Sequence, residues 1–256
     1  MAETQDPAAG SDEPERQIYR LPVRPLALTR LLVVAALALA APAAATSSYH
    51  EVERIPTRHK LVALTFDGGG DAGGARLILR TLARKHVGAT FFVTGVWARH
   101  YPRLARLIAK RYAIGDHTYD HAALTPLSDA AIRAEVRRGA RWLRRVTHHD
   151  PRPLFRFPYG DRDSRTVAVV NSLGYASVRW SLDTWGWMGP SEGQSVGTVV
   201  QRVSSRLRRG DIVLMHLGVA RDGSLLDAQA LPRVIKLIRR RGYRFVTLDR
   251  YVHAPR

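Results

Sequence analysis

The chain is 256 residues long, enough for one large α/β domain with a full core, and it shows no repeat at a solenoid period. It contains no cysteine, which excludes disulfides and thiolate ligands and leaves His, Asp and Glu to hold any cation. The net charge of +18 is carried almost wholly by arginine, with lysine only at Lys60, Lys85, Lys110 and Lys236. This reads as an arginine-biased composition with solvated helix faces, and no dedicated nucleic-acid site is expected.

In chain order, residues 1–48 form an N-terminal tail and a targeting segment. Arg16, Arg20, Arg24 and Arg30 precede an unbroken apolar run from Leu31 to Ala41, and Ala43-Ala44-Ala45 offers an A-x-A cleavage site. The run is short for a membrane span, so a signal peptide is expected. An uncleaved anchor over Leu26 to Ala45 is the rival, and only that case brings membrane contact. Either way the catalytic part is placed outside the cytoplasm, secreted or bound to the cell envelope.

From residue 55 to 256 strand and helix patterns alternate. Leu61 to Phe66 is an apolar strand, and Ala75 to Ala83 a helix with Ile78 and Leu82 on one face. Ala89 to Val93 is a second strand, followed by a helix over Pro102 to Lys110. Ser128 caps a helix bearing Ile132, Val136 and Leu143. Val196, Val200, Val203 and Leu207 mark another helix, Ile212 to Met215 a buried strand, and Leu231 to Ile238 a last helix. Phe245 to Leu248 is predicted as the final strand. Such alternation implies parallel pairing in a barrel or an open α/β sheet, with chemistry at the strand ends.

Four short blocks carry the chemistry. Asp67 ends an apolar strand before three glycines, which suits a general base that takes a proton from water, and equally a turn aspartate. His117 and His121 have the spacing of two imidazoles on one side of a cation, and equally that of two surface histidines. His148-His149 are adjacent, so their side chains diverge, and they read as loop residues. Arg156-Phe157-Pro158-Tyr159-Gly160 joins a guanidinium fork to a Pro-led turn whose Tyr159 N–H suits an oxyanion. His216 follows the apolar run Ile212 to Met215, where a histidine serves as a general acid or as a satisfied core residue. Trp97, Trp180, Trp185 and Trp187 are candidate platforms for sugar faces, or ordinary packing.

Together, over residues 60–251, these blocks resemble the polysaccharide deacetylase family, carbohydrate esterase family 4, with its NodB homology domain. Thr65-Phe66-Asp67 matches the start of the first motif, His117 to His121 the second and Arg156 to Gly160 the third. Trp180 to Trp187 resembles the fourth, and Leu214-Met215-His216 the fifth. The resemblance implies an α/β fold, an irregular (β/α)7-type barrel. It implies a metal-dependent hydrolase that removes N-acetyl groups from an amino-sugar polymer, a cell-wall glycan such as peptidoglycan or a chitin-like chain. It also implies a divalent ion, zinc first with cobalt or nickel as substitutes. By that resemblance Asp67 is the base, Arg156 its orienting partner, Tyr159 the oxyanion donor and His216 the acid, with the metal on His117 and His121.

Two positions depart from the pattern. The first-motif metal aspartate is Gly68 here, and the later fourth-motif aspartate, taken to pair with the arginine, is Gly186. Asp71, in the same glycine-rich loop, is therefore the candidate third metal ligand, with Asp67 or extra water as the alternatives, and Asp183 is the candidate partner of Arg156. A catalytically degenerate sugar-binding protein and an O-acetyl polysaccharide esterase are the alternatives.

Overall fold

A computed structural model describes residues 50–254. The expected signal segment and its rival anchor lie outside the described residues. Among these residues no helix is long and apolar enough to cross a membrane.

Nine strands form one sheet: β1 (Glu51–Val52), β2 (Leu61–Gly68), β3 (Thr90–Val93), β4 (Ala113–Asp116), β5 (Leu154–Phe155), β6 (Ala176–Val178), β7 (Leu182–Asp183), β8 (Asp211–His216) and β9 (Arg244–Phe245). Seven helices accompany them: α1 (Ala75–Arg84), α2 (Gly95–His100), α3 (Pro102–Arg111), α4 (Asp129–Thr147), α5 (Ser164–Asn171), α6 (Val196–Arg206) and α7 (Leu226–Arg240). The strand order is β1-β6-β5-β4-β3-β2-β8-β7, with β9 also on β2, and every pairing between these strands is parallel.

The sheet curls. Arg156, just after β5, reaches Val178 O beside it at 3.2 Å and Asp67 on β2 at 2.8 Å. Those two partners lie four places apart in the strand order, which in a flat sheet is roughly 19 Å at ~4.8 Å per strand. One side chain spans them only because the strands wrap around it. No pairing joins the β1 and β7 edges among the described residues, so the barrel is open there. This is the irregular (β/α) barrel that the motifs imply.

Both faces of the sheet are buried, so its strands read as continuous apolar runs. On β2, Val62, Leu64 and Phe66 point out to the main core with Ile78, Leu82, Leu231 and Ile235 from α1 and α7. Ala63 points in, to a smaller core with Phe92, Ile212 and Leu248. The period of two then carries Thr65 and Asp67 inward above that plug. On β8 the same alternation sends Val213 and Met215 outward and Ile212 inward, which puts His216 on the inward side. The interior is thus apolar at the bottom and chemical at the C-terminal ends of the strands.

Most of the expected elements are present, including Ser128 as the cap that accepts from Ala131 N. The final strand is a correction. It covers only Arg244–Phe245, and Leu248 lies in a short 3-10 turn that places it in the inner core. The last helix begins at Leu226, earlier than the apolar periodicity suggests.

Candidate active site

Five strand ends converge. Asp67 lies in β2, His117 follows β4, Arg156 follows β5, Asp183 ends β7 and His216 ends β8. Asp67 and His216 are register partners on adjacent parallel strands, so the candidate base and acid stand at one level.

The first pair is buried. Arg156 is fully buried, and its Nη1 donates to Asp67 Oδ1 at 2.8 Å and to Thr65 Oγ1 at 2.9 Å. Its other nitrogens reach the carbonyls of Val178 and Arg179, and its guanidinium lies over the Phe92 ring. Burial pushes the Asp67 carboxyl up, but Arg156, His117 and His216 outweigh it and hold Asp67 below its usual 3.8. Asp67 is therefore ionised at neutral pH, as a base must be.

The histidine pair sits in a turn that needs left-handed backbone. Thr118 has φ 70 and His121 φ 72, and neither is glycine. Such conformations cost about 1–3 kcal/mol each and persist only where neighbours over-determine them. Here they do. Gly95 N donates to Thr118 O, Val96 N to Tyr119 O, and Glu135 Oε1 accepts from both Tyr119 N and Asp120 N. Gly139 of α4 lies so close that an added Cβ would press on Thr118 O at 2.7 Å.

This turn aims both rings inward. His117 Nδ1 pairs with Arg156 O at 2.7 Å, which leaves Nε2 as its ligating nitrogen. The Nε2 atoms of His117 and His121 converge at 3.2 Å, and Asp67 Oδ2 stands 3.7 Å from His117 Nε2. Burial, then the neighbouring His117, depresses His121 to about 3, and burial also lowers His117 against the pull of Asp67. Both rings are neutral at physiological pH, the form that binds metals. Two neutral imidazoles with converging nitrogens, one fixed by a backbone carbonyl, fit a divalent cation.

The third ligand is not where the sequence put it. Asp71 turns its carboxylate to Gly73 N at 2.7 Å and Val219 N at 3.1 Å, tying its own loop to the one after β8. Among the described residues no group of three His, Cys, Asp or Glu is arranged to hold a metal. Gly68 supplies no ligand, and a side chain there would have to displace its apolar neighbours, since an added Cβ would meet Leu217 at 3.0 Å and Val93 at 3.1 Å. Asp183 does not contact Arg156 either. Its carboxylate accepts from Trp185 N at 2.9 Å and Trp187 Nε1 at 3.3 Å, while the fork of Arg156 is occupied by Asp67.

Tyr159 has φ 59, and its side chain is 72 % exposed, with its ring edge-on to His121 at 4.5 Å between centroids. The turn thus borders the histidine pair. Trp187 is exposed with its ring 6.3 Å from that of His216, Trp185 is exposed but stacked against the Arg202 guanidinium, and Trp180 is half-buried. Trp97 is wholly buried and is core, not a sugar platform.

Asp227, at the start of α7, went unread in the sequence. It is buried, and its Oδ2 accepts from His216 N at 2.9 Å and lies 3.6 Å from His216 Nδ1. No local motif marks it; an acid in the first turn of an apolar helix reads as a partner of the helix dipole.

Known proteins are similar to this chain in sequence and fold. The family model "Polysaccharide deacetylase" matches residues 54–178. A Bacillus cereus peptidoglycan-N-acetylglucosamine deacetylase is 31% identical over 205 residues, 78% of this chain and 92% of that protein. A crystal structure of a peptidoglycan N-acetylglucosamine deacetylase superposes with a TM-score of 0.73 at 29% identity, covering 81% of this chain and 96% of the other. A Bacillus anthracis pseudoenzyme of the same esterase family superposes at 0.72 with 25% identity, covering 80% and 69%, and a mutant of it with restored enzymatic activity superposes at 0.71. With 92% of the relative's length matched at 31% identity and the same fold present, the chain belongs to the polysaccharide deacetylase family.

Proposed function

We propose that this protein removes N-acetyl groups from an amino-sugar polymer of the cell wall, with peptidoglycan as the first candidate. The observation that carries this reading is the ionised Asp67, fixed by Arg156, in register with His216 and beside the converging nitrogens of His117 and His121.

The steps follow from the residues. His117 and His121 would hold a divalent ion, zinc first, which when bound supplies Lewis-acid polarisation of the acetyl carbonyl and a more acidic water. Asp67 takes the proton from the attacking water, and Arg156 keeps its carboxylate aimed and charged. The Tyr159 N–H is assigned to the oxygen that gains negative charge. His216 then protonates the departing amine, so acetate leaves and a free amino sugar remains. Burial works against a charged His216, but Asp227, Asp67 and Asp183 raise it above 6.5 and keep it a proton donor near neutral pH. Trp187 offers an apolar face to the glycan beside that acid.

The substrate class draws on the peptidoglycan relatives and on the charge of +18, which suits an anionic wall. Location outside the cytoplasm belongs to the same reading. One observation favours a second reading, a wall-glycan binder without turnover: the absent third carboxylate. The test is acetate release from purified peptidoglycan, from N-acetylglucosamine oligomers and from O-acetylated xylan. Release from the first, with matching free amines, supports the proposal. Glycan binding with no release from any of the three would replace it with the second reading, and release from xylan alone would make the protein an esterase.

A further inference from the structure

We propose that Asp227 is the carboxylate that positions His216, and that it serves from α7 in place of a side chain at position 186. The inference rests on the deacetylase reading for its kinetic consequence, but its structural core stands on this chain's own geometry.

Three observations carry it. His216 Nδ1 is buried and has no hydrogen-bond partner among the described residues, yet Asp227 Oδ2 stands 3.6 Å away. That is ion-pair range and slightly beyond a hydrogen bond, a gap that a small ring rotation closes. Second, the carboxylate is held from both sides. Thr184 Oγ1 donates to Oδ1 at 2.7 Å, and His216 N donates to Oδ2 at 2.9 Å. The backbone bond fixes the carboxylate against the same residue whose ring it faces. Third, position 186 is filled. An added Cβ on Gly186 would overlap Asp227 Oδ1 and come within 3.1 Å of Asp227 N. Glycine at 186 and the carboxylate of Asp227 thus occupy one space, and a side chain there would evict the other.

With Asp227 on Nδ1, the ring keeps its proton on that nitrogen and leaves Nε2 to handle the substrate proton. Asp227 touches no reacting atom, so it acts through His216. The other titratable groups facing His216 are Asp67 on β2, Asp183 on β7 and the neutral pair His117 and His121. None of these carboxylates is within 4.0 Å of Nδ1, whereas Asp227 is.

The test compares the full chain with Asp227→Asn, Asp227→Ala and the double variant Asp227→Ala with Gly186→Asp. Asp227→Asn keeps the shape and one acceptor, its Oδ1 turned to His216 N, while its NH2 can donate to Thr184 Oγ1, so the charge is lost with one hydrogen bond reversed; melting temperature checks that folding is kept. It is expected to lower kcat roughly 10–100-fold with little change in KM, and to move the alkaline limb of kcat/KM down by about one pH unit. The double variant is expected to recover at least about tenfold of the kcat lost in Asp227→Ala, because position 186 then supplies the carboxylate. Nitrogen-15 NMR of His216 is read in parallel, with a downward move of its titration expected in Asp227→Asn. An unchanged His216 titration, or a kcat loss that merely tracks melting temperature and is not recovered by Gly186→Asp, would overturn the proposal. If the unaltered chain releases no acetate, the deacetylase reading fails, while the His216 titration still decides the role of Asp227.

Discussion

Asp67 and Arg156 share one desolvated ion pair, in which the guanidinium is the first of the neighbours that offset the burial acting against an ionised carboxyl. Removing one partner of such a pair leaves a buried charge and typically costs about 3–5 kcal/mol. Arg156→Met is therefore expected to lose that much stability at neutral pH, read by denaturant unfolding. The sign with pH follows from the depressed carboxyl. Asp67 contributes its stability above its ordinary 3.8 and loses it as pH falls through the lower folded value. The deficit of Arg156→Met should accordingly be largest near neutrality and shrink in acid. A deficit that is flat with pH would mean that Arg156 acts only through packing over Phe92. Gly68 yields a second prediction. Its missing side chain would point at Leu217, Val93 and Trp97, not at the histidines. Gly68→Asp should thus fail to repair the metal site. It should cost at least about 2 kcal/mol for a polar group in apolar surroundings, with no gain in zinc affinity by calorimetry. Tighter zinc binding with unchanged stability would show that this strand end turns further than described.

At the scale of elements, α4 is the clamp on the histidine turn. Gly139 lets that helix lie against Thr118 O, and Glu135 one turn earlier accepts from Tyr119 N and Asp120 N. In an ordinary helix interior, glycine to alanine stabilises by about 1 kcal/mol. Gly139→Ala should do the reverse here, losing about 1–3 kcal/mol to overpacking and lowering activity as the turn shifts. A stabilised, fully active variant would refute the clamp. These contacts also mark what the sequence could and could not disclose. The strands β2 and β8 are legible because six and four residues of continuous apolar or β-branched chain precede Asp67 and His216. β1, β5 and β7 are two residues each, too short for any periodicity to register. The His117–His121 spacing was legible, but the positive φ values that make it converge were not, since they are imposed by α2 and α4. Nearness in sequence points to Asp71 as a ligand, but its own backbone turn and Val219 N claim its carboxylate instead. Asp227 carries no sequence signal because its partner lies eleven residues away on another element.

At the scale of the molecule, the open parallel barrel gathers groups from five strand ends at one end of the sheet, in a chain that is strongly cationic as a whole. The net charge of +18 predicts a salt effect that depends on substrate. Raising ionic strength from about 0.01 M to about 0.15 M shortens the Debye length from ~30 to ~8 Å. The KM for anionic wall polymer should rise severalfold over that range, while the KM for uncharged N-acetylglucosamine oligomers should stay level. An equal response of both would mean that the surface charge plays no part in finding substrate. The central claim is that two histidines and the Asp67–His216 pair suffice for turnover without an aspartate at position 68. The measurement that tests it most directly is acetate release from peptidoglycan by the chelated full chain as zinc is titrated back, beside His121→Ala. The account predicts saturable recovery in the unaltered chain and none in His121→Ala. Release that persists through chelation, or that His121→Ala regains equally, would contradict it.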